Sequence, residues 1–169
     1  MTFTFRPLDP LKDAALVHRW VTHPQAAFWL ARDAKLVDVE RACMRIAADE
    51  RHHALLGLRC GVPVFLMETY DPAVLHESEP GDIGLHLLAS PAYNPVPGLL
   101  LRAALTHLFA DPAVRRVVLA PDAAGAATEH KAPLAFRTRE EFYATTATTA
   151  TSTKTLPTTA TTPTTAMAA

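Results

Sequence analysis

The run GDIGLHLLAS places one imidazole, His86, two residues after Gly84 in a segment that alternates like a strand. Period-two alternation assigns Ile83, Leu85 and Leu87 to one side and Gly84, His86 and Leu88 to the other. A glycine inside a strand marks a bulge or the close approach of a ligand, and a histidine beside that gap could act as a base near neutral pH. A core histidine bonded to a carbonyl would have the same spacing. Asp122 closes the run VRRVVLAPD, at the end of a strand where open α/β sheets collect ligands, although a Pro-Asp pair also punctuates ordinary turns. Glu68 and Tyr70 share one face of VPVFLMETY. With His86 they would line either a polar cleft or the solvated face of an antiparallel sheet. In HPQAAFWL, an exposed Phe28 or Trp29 could cover a substrate's aliphatic chain, although Trp more often serves as core.

Other chemistries lack their residues. The remaining histidines show no metal-ligand spacing, so no metal is expected. GxSxG, the P-loop and GxGxxG are all missing, which removes the anchors of hydrolase, kinase and dehydrogenase readings. Sixteen Lys and Arg nearly cancel seventeen Asp and Glu among 169 residues, too even a balance to hold nucleic acid or an anionic membrane. A small-molecule partner is expected instead. Cys43 and Cys60 lie in apolar-patterned segments without metal spacing, which suits buried thiols in a reducing cytosol. The opening MTFTFRPLDP has neither the basic start nor the apolar run of a signal peptide, and a cytoplasmic location follows as the expectation.

The elements that must position these residues can be read in order. FTFRPL alternates as a strand, Asp13 to Val21 carries helical pairs, and Leu36, Val39, Cys43 and Ile46 form a second helical stripe. HALLGLRC and VPVFLMETY flank Gly61 as a hairpin would. After GDIGLHLLAS, NPVPG introduces a helix whose stripe is Leu101, Ala104, Leu105 and Leu108, and VRRVVLAPD follows as a strand. Strand, helix and strand make a βαβ unit with parallel strands. Beyond it, KAPLAFRT reads as a last strand and Thr138 to Glu141 as a capping box that starts a short helix. From Ala144 to Ala169, thirteen of 26 residues are Thr, so residues 1–143 are expected to fold and 144–169 to form a disordered tail.

HPQAAFWLARDAK, LMETYDP, PGDIGLHLLASP and FADPAVRRVVLAPD together resemble the siderophore-biosynthesis branch of the GNAT N-acyltransferase superfamily, whose members acylate the side-chain amine or hydroxylamine of lysine-type precursors. The resemblance runs from about residue 3 to 122 and resumes at HKAPLAFRTREEF. It implies a mixed α/β fold with a mostly antiparallel sheet, flanking helices and a splayed parallel strand pair that seats acyl-CoA. It also implies that backbone groups at Leu87, Leu88 and Ala89 meet the pantetheine arm and that His86 and Asp122 are catalytic, while Trp29, Glu68 and Tyr70 are the residues expected from the pattern alone to meet the acceptor. The CoA pyrophosphate would fall at NPVPGLLLR, where Pro95 and Pro97 delete two donors and leave the N–H groups of Asn94, Val96, Gly98, Leu99 and Leu100, with Arg102 as the nearest cation. AAGAATEH, after Asp122, is short for the helix and further strand such a fold carries there. The expected function is an acyltransferase in hydroxamate siderophore biosynthesis and iron acquisition, with siderophore synthetase enzymes as pathway partners; the alternatives are a degenerate relative that binds acyl-CoA or a partner without turnover, and an unrelated α/β binding domain.

Overall fold

A computed structural model describes residues 2–29, 31–74, 77–95, 98–119 and 135–151. Its strands β1 (Thr4–Pro7), β2 (His52–Arg59), β3 (Val62–Tyr70), β4 (Asp82–Ala89), β5 (Arg116–Leu119) and β6 (Ala135–Thr138) form one sheet in that order. Every neighbouring pair is antiparallel except β4 and β5, which run parallel on either side of a helical crossover. Four helices flank the sheet: α1 (Ala14–Val21), α2 (Leu36–Ala48), α3 (Leu99–Leu108) and α4 (Arg139–Thr151). This is the mixed α/β architecture expected from the sequence.

Alternation along the strands sorts the apolar residues into two cores. Leu56, Leu66 and Leu88 stand side by side across β2, β3 and β4 and pack with Val17, Trp20, Val39 and Cys43 of α1 and α2. Phe65, Met67, Leu85 and Val117 project to the other side and pack with Leu100, Ala104, Leu105 and Leu108 of α3. At about 25 cal/mol per Å² of apolar surface removed from water, these two layers drive the assembly. Polar pairs then fix its ends. The Arg6 guanidinium donates to both oxygens of Asp13 at 2.6 and 2.8 Å, which ties β1 to the start of α1. Arg116 donates to both oxygens of Asp82 at 2.8 and 2.6 Å, which clamps one end of the parallel pair.

Two-residue turn chemistry closes the β2–β3 hairpin, with Cys60 (φ 50°) and Gly61 (φ 79°) both left-handed, as a type I′ turn requires. Cys60 is exposed there, which corrects its expected burial: a residue at the tip of a hairpin has no layer above it. A bulge then shifts the register. Leu58 faces Pro63, but Gly57 faces Phe65, leaving Val64 as the extra residue on β3.

The strand expected at KAPLAFRT is β6, so the sheet does carry a strand beyond β5. The capping box also forms: the Glu141 N–H donates to Thr138 Oγ1, and the Thr138 N–H donates to Glu141 Oε2, each at 3.2 Å. The α4 helix continues past 143 into the stretch expected as tail, and the Thr145 hydroxyl donates to the Glu141 carbonyl one turn back. Residues 152–169 lie outside the described residues. No helix among the described residues is long and apolar enough to cross a membrane.

Candidate active site

The row of same-face residues that begins with Leu56, Leu66 and Leu88 continues along the strands as Ala54, Glu68 and His86, and then as His52, Tyr70 and Gly84. Thus the face that is apolar beneath α1 and α2 becomes polar one step further on. Glu68 and Tyr70 are each only 9% exposed, so the solvated-face alternative is overturned. The strands gather buried Glu68 and Tyr70 with half-buried His86 into one cluster, and they add His52, also half-buried.

Within it, Glu68 lies directly opposite His86 across β3 and β4. The His52 Nε2 stands 3.5 Å from Glu68 Oε2, a charge contact that lacks the geometry of a good hydrogen bond. The Tyr70 ring lies between the two imidazoles, its centroid 4.8 Å from that of His86 and 6.3 Å from that of His52. A Cβ built at Gly84 would collide with that ring. Gly84 is therefore glycine because Tyr70 crosses it, and the gap expected for a ligand is filled by the protein's own side chain.

The electrostatics separate the two histidines. The Glu68 carboxylate raises the His52 pKa against the opposing effect of burial. Burial lowers that of His86, with Glu68 pulling up and His52 pushing down more weakly. His86 is thus predominantly the neutral, proton-accepting imidazole near pH 7. Burial raises the Tyr70 phenol, which stays protonated. His52 Nε2 and Tyr70 Oη are both buried without a hydrogen-bond partner among the described residues. Leaving a polar atom so costs roughly 1–3 kcal/mol, and such atoms are suited to meeting a polar ligand.

Among the described residues, β4 extends beyond its pairing with β5. Their pairing covers Asp82 to Leu85 against Arg116 to Leu119, and β4 runs on to Ala89. Because the Ser90 N–H donates to Val64 O on the β3 side while Gly81 O accepts from Arg115 and Arg116 on the β5 side, even-numbered residues of β4 bond to β3 and odd ones face β5. The N–H and C=O of Leu87 and Ala89 therefore point to the edge that β5 leaves open among the described residues. Leu88 does not share this exposure: its backbone groups face Leu66, and its side chain is in the α1–α2 core. That corrects its expected place beside Leu87 and Ala89, since alternation allows only every second residue to face an open edge.

Past β4, Asn94 is exposed, and Gly98, with a left-handed backbone (φ 78°), caps α3. Leu99 opens the helix, and Arg102 lies within its first turn. Gly98 and Arg102 border a groove of about 580 Å³ shared with Arg137 and Glu141 from β6 and α4. Arg137 is a second cation there that sequence reasoning missed, since nothing local marks it. Trp29 ends a 3-10 segment, Pro24–Trp29, and its side chain lies outside the described residues. Asp122 lies outside them altogether. Among the described residues no group of His, Cys, Asp and Glu could hold a metal ion. His52 was also missed. Its only signal was a place at the start of HHALLGLRC, where His53 competes for the same face.

Comparison with known proteins follows this geometry. The family profile described as an acetyltransferase (GNAT) domain matches residues 9–143. Among solved structures, the aminoglycoside acetyltransferase AAC(6')-Ib in complex with ribostamycin and coenzyme A is 21% identical, with a TM-score of 0.70 over 85% of this chain and 97% of that one. An uncharacterized protein from Bacillus halodurans is also 21% identical, with a TM-score of 0.70 over 84% of this chain and 86% of the other. An acetyltransferase from Thermus thermophilus is 29% identical, with a TM-score of 0.54 over 70% of this chain and 75% of that one. No curated protein matches the chain.

Proposed function

Since the chain belongs to the GNAT acetyltransferase domain family, we propose that it is an acyl-CoA-dependent N-acyltransferase acting on the side-chain amine or hydroxylamine of a lysine-type precursor in hydroxamate siderophore biosynthesis. The single observation that carries this reading is a neutral, partly buried His86 on the strand whose next odd-numbered residues, Leu87 and Ala89, have no β5 partner among the described residues. A family neighbour of known ligands holds coenzyme A together with an aminoglycoside amine, which supports a small-molecule acceptor. The siderophore branch rests on the sequence resemblance.

The residues present fit acyl-CoA. The edge N–H and C=O of Leu87 and Ala89 suit the amide groups of a pantetheine arm, and the first N–H groups of α3 at Gly98 and Leu99, with Arg102 nearby and Asn94 on the approach, suit a pyrophosphate. Bound there, acyl-CoA supplies the thioester carbonyl, whose bond to sulfur breaks as the bond to the acceptor nitrogen forms. An alkylamine of pKa about 10.4 is almost wholly protonated at pH 7, and baring it costs roughly 4–5 kcal/mol. The neutral imidazole of His86 receives the proton that leaves the acceptor nitrogen during attack. Glu68, directly opposite, stabilises the imidazolium that results, while the Tyr70 hydroxyl and Trp29 hold the acceptor and Asp122 orients the imidazole or the nitrogen. Alignment of the two reactants contributes the larger part of the rate.

The test is thiol release from acetyl-CoA in a Cys60→Ser background, with N6-hydroxylysine, lysine, spermidine and kanamycin as acceptors. Release with the lysine-type acceptors, and a loss of roughly 10²–10⁴-fold in kcat/KM in His86→Ala, is the expected result. The loss should be smaller for the hydroxylamine, whose less basic nitrogen arrives neutral. Equal turnover by parent and variant removes His86 from the chemistry. Heat of CoA binding without turnover of any acceptor establishes the degenerate binding module instead.

A further inference from the structure

We propose that His52 is a positioning residue for the acyl transfer: from β2 its imidazole holds the buried Glu68 carboxylate and so sets the charge that His86 meets across the sheet. The inference deepens the reading of His86 as base and rests on it.

A carboxylate that is 9% exposed must be paired, because removing it from water uncompensated is costly. Each neighbouring strand offers it one imidazole. From β4, His86 is its direct cross-strand partner. From β2, the direct partner is Ala54, too small to fill the site, and His52 reaches in diagonally to bring Nε2 within 3.5 Å of Oε2. The α2 helix contributes Cys43, whose thiol is pushed up to about 11, chiefly by burial and further by Glu68, so it remains neutral and supplies no counter-charge. Asp49 at the end of α2 adds negative charge on the His52 side, and Asp13 and Glu40 act on Cys43 from further away. Tyr70, the next residue on this face of β3, is neutral and lies between the imidazoles.

Glu68 therefore serves two histidines that compete for it. Glu68 favours the charged form of the more exposed His52, whose side chain is 30% accessible, and a positive charge there opposes the pull of Glu68 on His86. His86 is left neutral and able to accept a proton. Were His52 uncharged, the upward pull of Glu68 on His86 would go unopposed by a neighbouring charge, and burial alone would keep the imidazole neutral.

The experiment follows the histidine ring nitrogens by NMR against pH in the full chain, with resonances assigned from single His→Asn variants. In His52→Gln the His86 midpoint should rise by about one unit, and in Glu68→Gln it should fall by about one unit. The double variant should return it close to the parent value, since both charges leave together. The acid limb of kcat/KM should move in the same directions, which loss of packing alone would not produce. Thermal melts of each variant, with His52→Asn as a second substitution, verify that the comparison is made on folded protein. A His86 midpoint that stays put, or that moves the same way in both single variants, overturns the proposal. Full turnover by His86→Ala instead sinks the base reading, while the titration still decides the coupling.

Discussion

The Tyr70 ring lies across Gly84, its cross-strand partner, and fills the volume that any side chain at 84 would need. The same ring is tilted 37° against the His86 imidazole at 4.8 Å. A glycine on β4 thus lets an aromatic residue of β3 lean over and press on the candidate base. Its role is to permit a contact within the protein, and that contact orients His86.

Gly84→Ala should therefore displace Tyr70 and loosen His86 together. Overpacking of this kind typically costs about 1–3 kcal/mol, so thermal unfolding should shift down by several degrees and thiol release should fall in parallel. An alanine variant with the parent's melting temperature and turnover would mean that the ring moves aside freely.

The clamp between Asp82 and Arg116 should dominate the acid stability of the sheet's parallel end. Asp82 has a side chain 2% exposed and is held below the usual carboxylate range, first by hydrogen bonds from Arg116 and then by the Glu79 N–H. The unfolded chain binds the proton more readily than the folded one. The stabilisation is therefore complete above the ordinary carboxylate pKa of about 3.9 and is lost as pH falls through the lower folded value. Arg116→Met should lower stability at pH 7, because the Asp82 carboxylate loses the guanidinium that donates to both its oxygens. Urea unfolding at pH 7 and pH 3 should show the variant's deficit shrinking in acid, and a deficit independent of pH would refute the assignment.

The two cysteines should react very differently. Cys43 is buried with its thiol raised to about 11, whereas Cys60 is exposed at the hairpin turn. A thiol reagent at about pH 7.5 should titrate one group quickly in the native protein and two in denaturant. Cys60→Ser should abolish the fast group. Rapid labelling that survives in that variant would show Cys43 to be accessible.

We propose that the Thr-rich segment beyond α4 adds nothing to the folded domain. Leu156 and Met167 are its only large apolar side chains, too few to offset the entropy of ordering it. Deleting residues 152–169 should leave the melting temperature within about 1 °C of the parent. A fall of many degrees would show that the segment packs on the domain.

Much of the framework was legible in the residues themselves, because it depends on short-range periodicity. Alternation put Ile83, Leu85 and Leu87 on one face of β4 and Leu88 on the other, and both cores bear this out. Thr138 and Glu141 announced the start of α4 three residues apart, the spacing that a capping box requires. The site was legible only in part. His86, Glu68 and Tyr70 were visible as candidates from their faces, but whether Glu68 faced water or protein depended on what lay over the sheet, and no local pattern encodes that.

The chain's own text determined which residues alternate and where helices begin, since those preferences act between neighbours. The pairing of His52 with Glu68 was decided by tertiary structure alone. Counted back from the Cys60–Gly61 turn without interruption, the hairpin would set His53 opposite Glu68, but the bulge at Val64 advances the register by one and brings His52 to that face instead. A single extra residue exchanges every side chain between the two faces of a strand, because the pleat has period two. Where the bulge falls is settled by Phe65 seating its ring over Gly57 and against Phe3 and Phe5, contacts between three strands that only the assembled sheet brings together.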